Sequence, residues 1–196
     1  MNIVDRAKNI IMTPKTEWQA IAAEEPNVGQ IISGYVIPLA LIPAIASMLG
    51  FGLIGRGMAS SFTWGIAMAI ISFVVALGGV YLTAFVVDYL APNFGSQKNF
   101  GRAMQLVAYS YTPAWIAGIL NIVPALAVLV VVASIYGLYL MYLGFTPTMK
   151  TPGDKVVVYM VVSIIVLIVV YFVLTALLTA IVFGIFGLSA MSMIGG

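Results

Sequence analysis

The 196-residue chain contains no cysteine and no histidine, and charged residues make up only 7% of it. The first two absences exclude disulfides, thiol nucleophiles and every zinc site that needs imidazole or thiolate. The shortage of charge excludes a water-soluble fold, because a soluble domain carries roughly a quarter charged residues. The net charge of +2 is too small to point to nucleic acid. Catalytic signatures are missing as well. There is no Gly-x-Ser-x-Gly elbow, no pair of intramembrane aspartates, and no glycine-rich loop ending in Lys-Ser or Lys-Thr. The composition therefore predicts a protein that is not an enzyme, with no cofactor and no metal.

What is present is apolar: 63% of the residues are hydrophobic, arranged in long runs without a period of two. About 20 such residues let a helix cross roughly 30 Å of hydrocarbon, and helices satisfy their own backbone hydrogen bonds in lipid. The expected fold is all-α, a polytopic transmembrane helical bundle with five spans and short amphipathic N-terminal helices. The lipid bilayer is its solvent and first partner.

Three regions are expected: a cytoplasmic or interfacial amphipathic arm over residues 1–28, a five-helix membrane domain over 29–188, and a flexible, uncharged tail over 189–196. In the arm, Ile3, Val4, Ala7, Ile10 and Ile11 fall on one helical face and Asp5, Arg6, Lys8 and Asn9 on the other. Pro14 breaks this helix, and a second short one follows, with Trp18 placed beside charges as in the headgroup zone. The arm reads either as a lid packed on its own bundle or as a segment that lies on the membrane or grips a partner. It lacks the apolar run and small-residue cleavage site of a removable signal peptide, so the first span is expected to act as the insertion signal.

The spans are expected at about Ile31–Leu53, bent by Pro38 and Pro43; Phe62–Leu90, weakest at Gly78 and Gly79; Ala103–Ile122, with Pro113 inside; from Pro124 to Phe145; and from Lys155 to Leu188. Basic residues mark cytoplasmic loops. Arg6, Lys8, Lys15, Lys98, Arg102, Lys150 and Lys155 share one side, and Arg56 alone lies on the other. The N-terminus is thus expected in the cytoplasm and the C-terminus outside.

Candidate functional residues are polar groups in apolar surroundings. Asp88 is the acidic residue inside a span, but it lies 26 residues beyond Phe62, roughly 39 Å along the helix, and so at the cytoplasmic boundary. A salt bridge or helix-end contact with Arg102 or Lys98 across the short loop is the structural expectation; a partner-docking or proton-linked site is the functional one. Tyr109, Tyr111, Thr112 and Pro113 cluster in the third span, where the proline frees a carbonyl near Tyr109 and the Thr112 hydroxyl can stabilise the bend. The cluster can glue helices together or line a cavity. Tyr136, Tyr139 and Tyr142 read as an aromatic belt. Ala176, Ala180 and Gly184 form a small-residue strip suited to helix packing or self-association.

The stretch Ala108-Tyr-Ser-Tyr-Thr-Pro-Ala-Trp-Ile-Ala-Gly118 and the block Tyr136-Gly-Leu-Tyr-Leu-Met-Tyr-Leu-Gly144 resemble the Yip domain family of Ypt/Rab-interacting membrane proteins. Pro14-Lys-Thr-Glu-Trp18, Gly34-Tyr35 and Pro38 resemble its compact bacterial inner-membrane branch. The resemblance implies five spans, a cytoplasmic N-terminus and residence in the cell inner membrane. Eukaryotic relatives engage small GTPases through a longer cytoplasmic region, whereas only about 28 residues stand here, so GTPase binding is not expected. The expected role is non-enzymatic organisation of membrane or protein assemblies, with a homo-oligomer or other membrane proteins as partners. A small channel, transporter or lipid-moving protein is the alternative.

Overall fold

The computed structural model describes residues 2–54 and 62–173. Among these residues there is no strand, and four helices are long and apolar enough to cross a membrane: Val28–Gly52, Gly65–Phe94, Val128–Met149 and Val156–Val173. Their outer faces carry Ile70, Val74, Val75, Val131, Val132, Ile135, Val161 and Ile165, each about half exposed or more. Water does not tolerate apolar surface of that extent, whereas hydrocarbon does. The chain is a multi-pass membrane protein.

The arm forms two helices, α1 (Ile3–Met12) and α2 (Pro14–Ala23). The Asn2 side chain accepts from Val4 N at 3.0 Å to start α1, and Pro14 starts α2, where its missing N–H is no loss. Ile10, Trp18 and Ile21 are fully buried, so the arm is folded onto the bundle. Trp18 is packed inside the protein rather than exposed beside the charges. Its ring fills the space over Gly144, where an added Cβ would stand 2.7 Å from the indole.

The first predicted span comprises α3 (Val28–Ile31), a π-helical turn over Ile32–Val36, and α4 (Ile37–Leu49). The wide turn has a cause. Pro38 has no N–H to give Gly34, and shifting the Ile37 N–H to the Ile32 carbonyl opens the helix ahead of the proline ring. α5 (Phe62–Leu90) follows and runs unbroken through Gly78 and Gly79, contrary to the weak point expected there. The third predicted span is divided into α6 (Phe100–Ser110), α7 (Thr112–Ala117) and a 3-10 stretch over Gly118–Ile122. It is not among the four long apolar helices. Every residue from Ala103 to Ser110 is buried, which makes α6 the axis of the bundle. α8 (Ala127–Met149) and α9 (Val156–Val173) complete the described chain.

The loops at one end touch. Gln97 N donates to Met149 O at 2.9 Å, and the Ser96 and Thr151 hydroxyls bond at 2.8 Å. The segments carrying Lys98 and Lys150 therefore share an end with Arg102 and the beginning of α3. At the opposite end the helices meet at glycine: a Cβ on Gly50 would collide with the Asn121 carbonyl, and one on Gly65 would lie 2.5 Å from Met48 O. Arg56 and the strip Ala176, Ala180 and Gly184 lie outside the described residues.

Candidate functional site

The polar centre lies where the α1–α2 hairpin meets α6. Arg6 sits one turn from both Ile3 and Ile10, on the face that α1 turns inward, and is only 5% exposed. Its Nη1 donates to Glu17 Oε1 at 2.6 Å, and its Nη2 bonds Glu24 on the same hairpin. Burial acts to lower the Arg6 pKa; the hydrogen bond that Arg6 donates to Glu24 and the negative charges of Glu24 and Glu17 outweigh it, so the guanidinium is held above its ordinary value. The same guanidinium lies 5.3 Å from the ring centroid of Tyr109, close enough for a cation–π contact.

Tyr109 passes the contact into the bundle. Its ring meets Tyr35 edge-on at 4.7 Å and Trp18 at 6.4 Å. The Thr112 hydroxyl donates to the freed Tyr109 carbonyl at 2.7 Å, so the hydroxyl pair Tyr35–Thr112, also 2.7 Å apart, must have Tyr35 as donor. The neighbouring pair works the same way. Thr83 donates to Gly79 O at 2.6 Å and thus accepts from the Tyr111 hydroxyl at 2.9 Å. Tyr35, Thr112, Thr83 and Tyr111 tie the π-helical turn ahead of α4, α5 and the α6–α7 break together.

Arg102 does not pair with Asp88, and Lys98 is exposed without an ion pair among the described residues. The Arg102 Nη1 instead donates to Glu24 O at 2.8 Å and to Gln105 Oε1 at 3.1 Å, closing the C-terminal end of α2. The expected salt bridge is corrected by this competition: exposed carbonyls at a helix end lie nearer to Arg102 than the carboxylate does. Asp88 is buried against α9, and among the described residues its Oδ1 has no hydrogen-bond partner. Of the predicted cluster, then, Tyr109, Tyr111, Thr112 and Pro113 are brought together with Arg102 nearby, while Asp88 and Lys98 stand apart.

Five participants escaped sequence reasoning as a site: Arg6, Glu17, Glu24, Tyr35 and Thr83. The signal was Arg6 itself, which recurs with Ile3, Ala7 and Ile10 at helical spacing although it was assigned to the polar face. Beside it is a cavity of about 160 Å³ lined by Arg6, Glu24, Asn27, Gln30, Tyr35 and Gln105, among others. No group of three acidic residues that could hold a metal occurs among the described residues. The arrangement is a charge-neutralised clasp that fixes the arm to the bundle.

A sequence profile for the Yip1 domain matches residues 8–177, and so includes most of the hairpin as well as the bundle. The chain is similar to the inner membrane protein YohC of Escherichia coli strain K12, with 29% identity over 140 residues that cover 67% of this chain and 72% of that protein. The protein of the same name from Escherichia coli O6:H1 strain CFT073 gives the same figures. No solved structure matches.

Proposed function

This chain belongs to the Yip1 domain family, and from that membership we propose that it is a non-enzymatic inner-membrane protein that organises membrane or protein assemblies. Five traverses, with the arm and the Lys98 and Lys150 loops on the cytoplasmic side, complete the reading. The 23 residues Phe100–Ile122 run from the end where Gly101 meets Pro26 to the end where Asn121 meets Gly50, which is one bundle length.

The observation that carries the proposal is that four hydroxyls within the bundle bond to one another in pairs. Tyr35, Thr83, Tyr111 and Thr112 are engaged in two interhelical hydroxyl pairs, which is the use of hydroxyls as helix glue rather than as the lining of a conduit. Residence in the inner membrane draws support from the name of the Escherichia coli relative. The test is chemical crosslinking of the full chain reconstituted in liposomes, together with gentle purification from its own membrane. Discrete oligomers or a stoichiometric membrane partner are expected; a monomer under both conditions overturns the proposal.

One observation favours a second reading, a small channel, transporter or lipid-moving protein. Among the described residues the buried Oδ1 of Asp88, near Tyr159 of α9, has no hydrogen-bond partner. Solute or lipid flux in liposomes that is lost on Asp88→Asn would support that reading, and flux unchanged in Asp88→Asn and in Tyr111→Phe would remove both residues from it.

A further inference from the structure

The depth reached by the arm has a consequence for the bilayer. The Tyr136 hydroxyl donates to the Ile11 carbonyl at 2.7 Å. Tyr136 stands 13 residues from Met149 and 9 from Ala127, so it lies roughly 20 Å from one end of α8 and roughly 14 Å from the other. The tip of the hairpin is therefore level with the middle of a helix just long enough to cross hydrocarbon. A second observation agrees. Ile11 and Met12 share a groove of about 530 Å³ with Pro38 and Ile42, well inside the span Val28–Gly52, and with Ile116, near the end of α7.

We infer that the α1–α2 hairpin is a re-entrant wedge, which enters only the leaflet on the side of the Lys98 and Lys150 loops and displaces lipid there to about mid-bilayer depth. Two helices of ten residues are each about 15 Å long, half a bilayer, and a non-spanning segment at such depth is tolerated where protein covers its polar groups. The clasp covers the buried charges, with Arg6 beside Tyr35 and Tyr109 inside the bundle and bonded to Glu17 and Glu24, while Asp5, Lys8, Lys15 and Gln19 stay on the exposed side, where headgroups drawn down with the hairpin meet them.

The outer side of the hairpin suits acyl chains. Val4 is 65% exposed and Met12 71%, and they flank Lys8 at intervals of one turn. The occupant of the groove is accordingly an acyl chain of that leaflet, with its phosphate drawn to Lys8. Lys15 is exposed at the tip, too deep for its stem to reach the unperturbed surface, so headgroups bend down to meet it and the leaflet thins. Each helix is about 10 Å across, and the described part of the opposite half has no such addition and closes on glycines Gly50 and Gly65. Among the described residues one leaflet therefore spreads more than the other, which is a curvature preference.

This inference rests on the membrane-organising reading and names its means. The chain has no cysteine, so single ones can be placed at will. Met12→Cys, Ile135→Cys and Lys98→Cys, spin-labelled in phosphatidylethanolamine–phosphatidylglycerol vesicles, report depth. Met12 is expected to favour oxygen over a water-soluble nickel chelate several-fold, as lipid-facing Ile135 does and Lys98 does not. A Met12 label as open to nickel as Lys98 overturns the wedge.

Curvature is read with Lys98→Cys and a membrane-impermeant maleimide. The fraction of chains with the basic loops outward is expected to rise severalfold from large extruded to small sonicated vesicles. An orientation independent of vesicle size overturns the displacement of lipid even if the depth holds. Crosslinking in the same vesicles reads self-association separately, so the failure of one idea is distinguishable from the failure of the other.

Discussion

The two ends of the bundle are held by different physics. At the end bearing Gly50, Gly65 and Gly118, backbones approach until no Cβ fits: the Asn121 carbonyl, Met48 O and the Pro43 ring occupy the places where side chains would begin. At the end bearing the arm, long polar side chains reach across gaps, with Arg6 on Glu17 and Glu24 and Arg102 on the last carbonyls of α2, while Tyr136 holds the arm's tip at Ile11 O from the middle of α8. Close packing is cheap where dispersion alone drives association in lipid. Ionic clasping holds an element too short and too polar to insert unaided. The difference teaches that the arm is a separately fastened part, and that breaking its fastening should leave the glycine end intact.

The strongest break in that comparison is Arg6→Met, which strands two carboxylates against Tyr109 and the cavity. Removing one partner of a buried pair costs about 3–5 kcal/mol. Glu24 is partly exposed and water relieves some of its share, so the lower part of that range is expected. Thermal unfolding in mild detergent should show the loss. Arg6→Met combined with Glu17→Met should recover much of it, because an apolar pair needs no counter-charge. Equal losses in the single and double variants would mean that the charges do not form the clasp.

The glycine end should respond by crowding instead. Gly50→Ala drives a methyl into the backbone carbonyl of Asn121, which cannot rotate away, and about 1–3 kcal/mol of destabilisation is expected. Gly144→Ala presses on Trp18 and Leu106 and tests the arm by the same means, with the added sign that the Trp18 fluorescence environment changes. Gly78→Ala, in the middle of α5 with no atom within 4 Å of the new Cβ, should go the other way. It removes a flexible residue from a helix interior and gains about 0.5–1 kcal/mol. A loss there would place an unseen neighbour against α5.

Much of this was legible in the chain and some of it was not. Long apolar runs between Val28 and Val173 announced the helices, and the sequence Tyr-Thr-Pro announced a break, which falls at Tyr111 with Thr112 bonded to the carbonyl that Pro113 leaves free. Pattern reading treats charge as a mark of the surface, and for that reason it puts Arg6 on the polar face of its helix and Arg102 against Asp88. Pairing across 11 residues is a tertiary fact that no local period carries. Trp18 misled for a related reason: an aromatic beside glutamates has the composition of a membrane interface, and only the absent Cβ at Gly144, far along the chain, makes it a core residue. The Gly78–Gly79 pair misled in the opposite direction, since lipid-embedded α5 tolerates glycine that an exposed helix in water would not.

The finest test of the comparison concerns the hydroxyl pairs that lie between the two ends. Tyr111→Phe removes the donor to Thr83 but leaves Thr83 bonded to Gly79 O, so no polar atom is stranded and a loss of only about 0.6 kcal/mol is expected. Tyr35→Phe is matched in chemistry, because Thr112 keeps its bond to Tyr109 O, yet Tyr35 also packs edge-on against the ring that carries Arg6. The two substitutions should therefore cost the same if the pairs are plain glue. If the Tyr35–Tyr109–Arg6 stack conveys the clasp into the bundle, Tyr35→Phe should cost more, and Arg6→Met should abolish the excess. A double-mutant cycle of Tyr35→Phe with Arg6→Met, compared with the same cycle for Tyr111→Phe, measures that excess directly, and a coupling of zero in both cycles would show that the clasp ends at Tyr109.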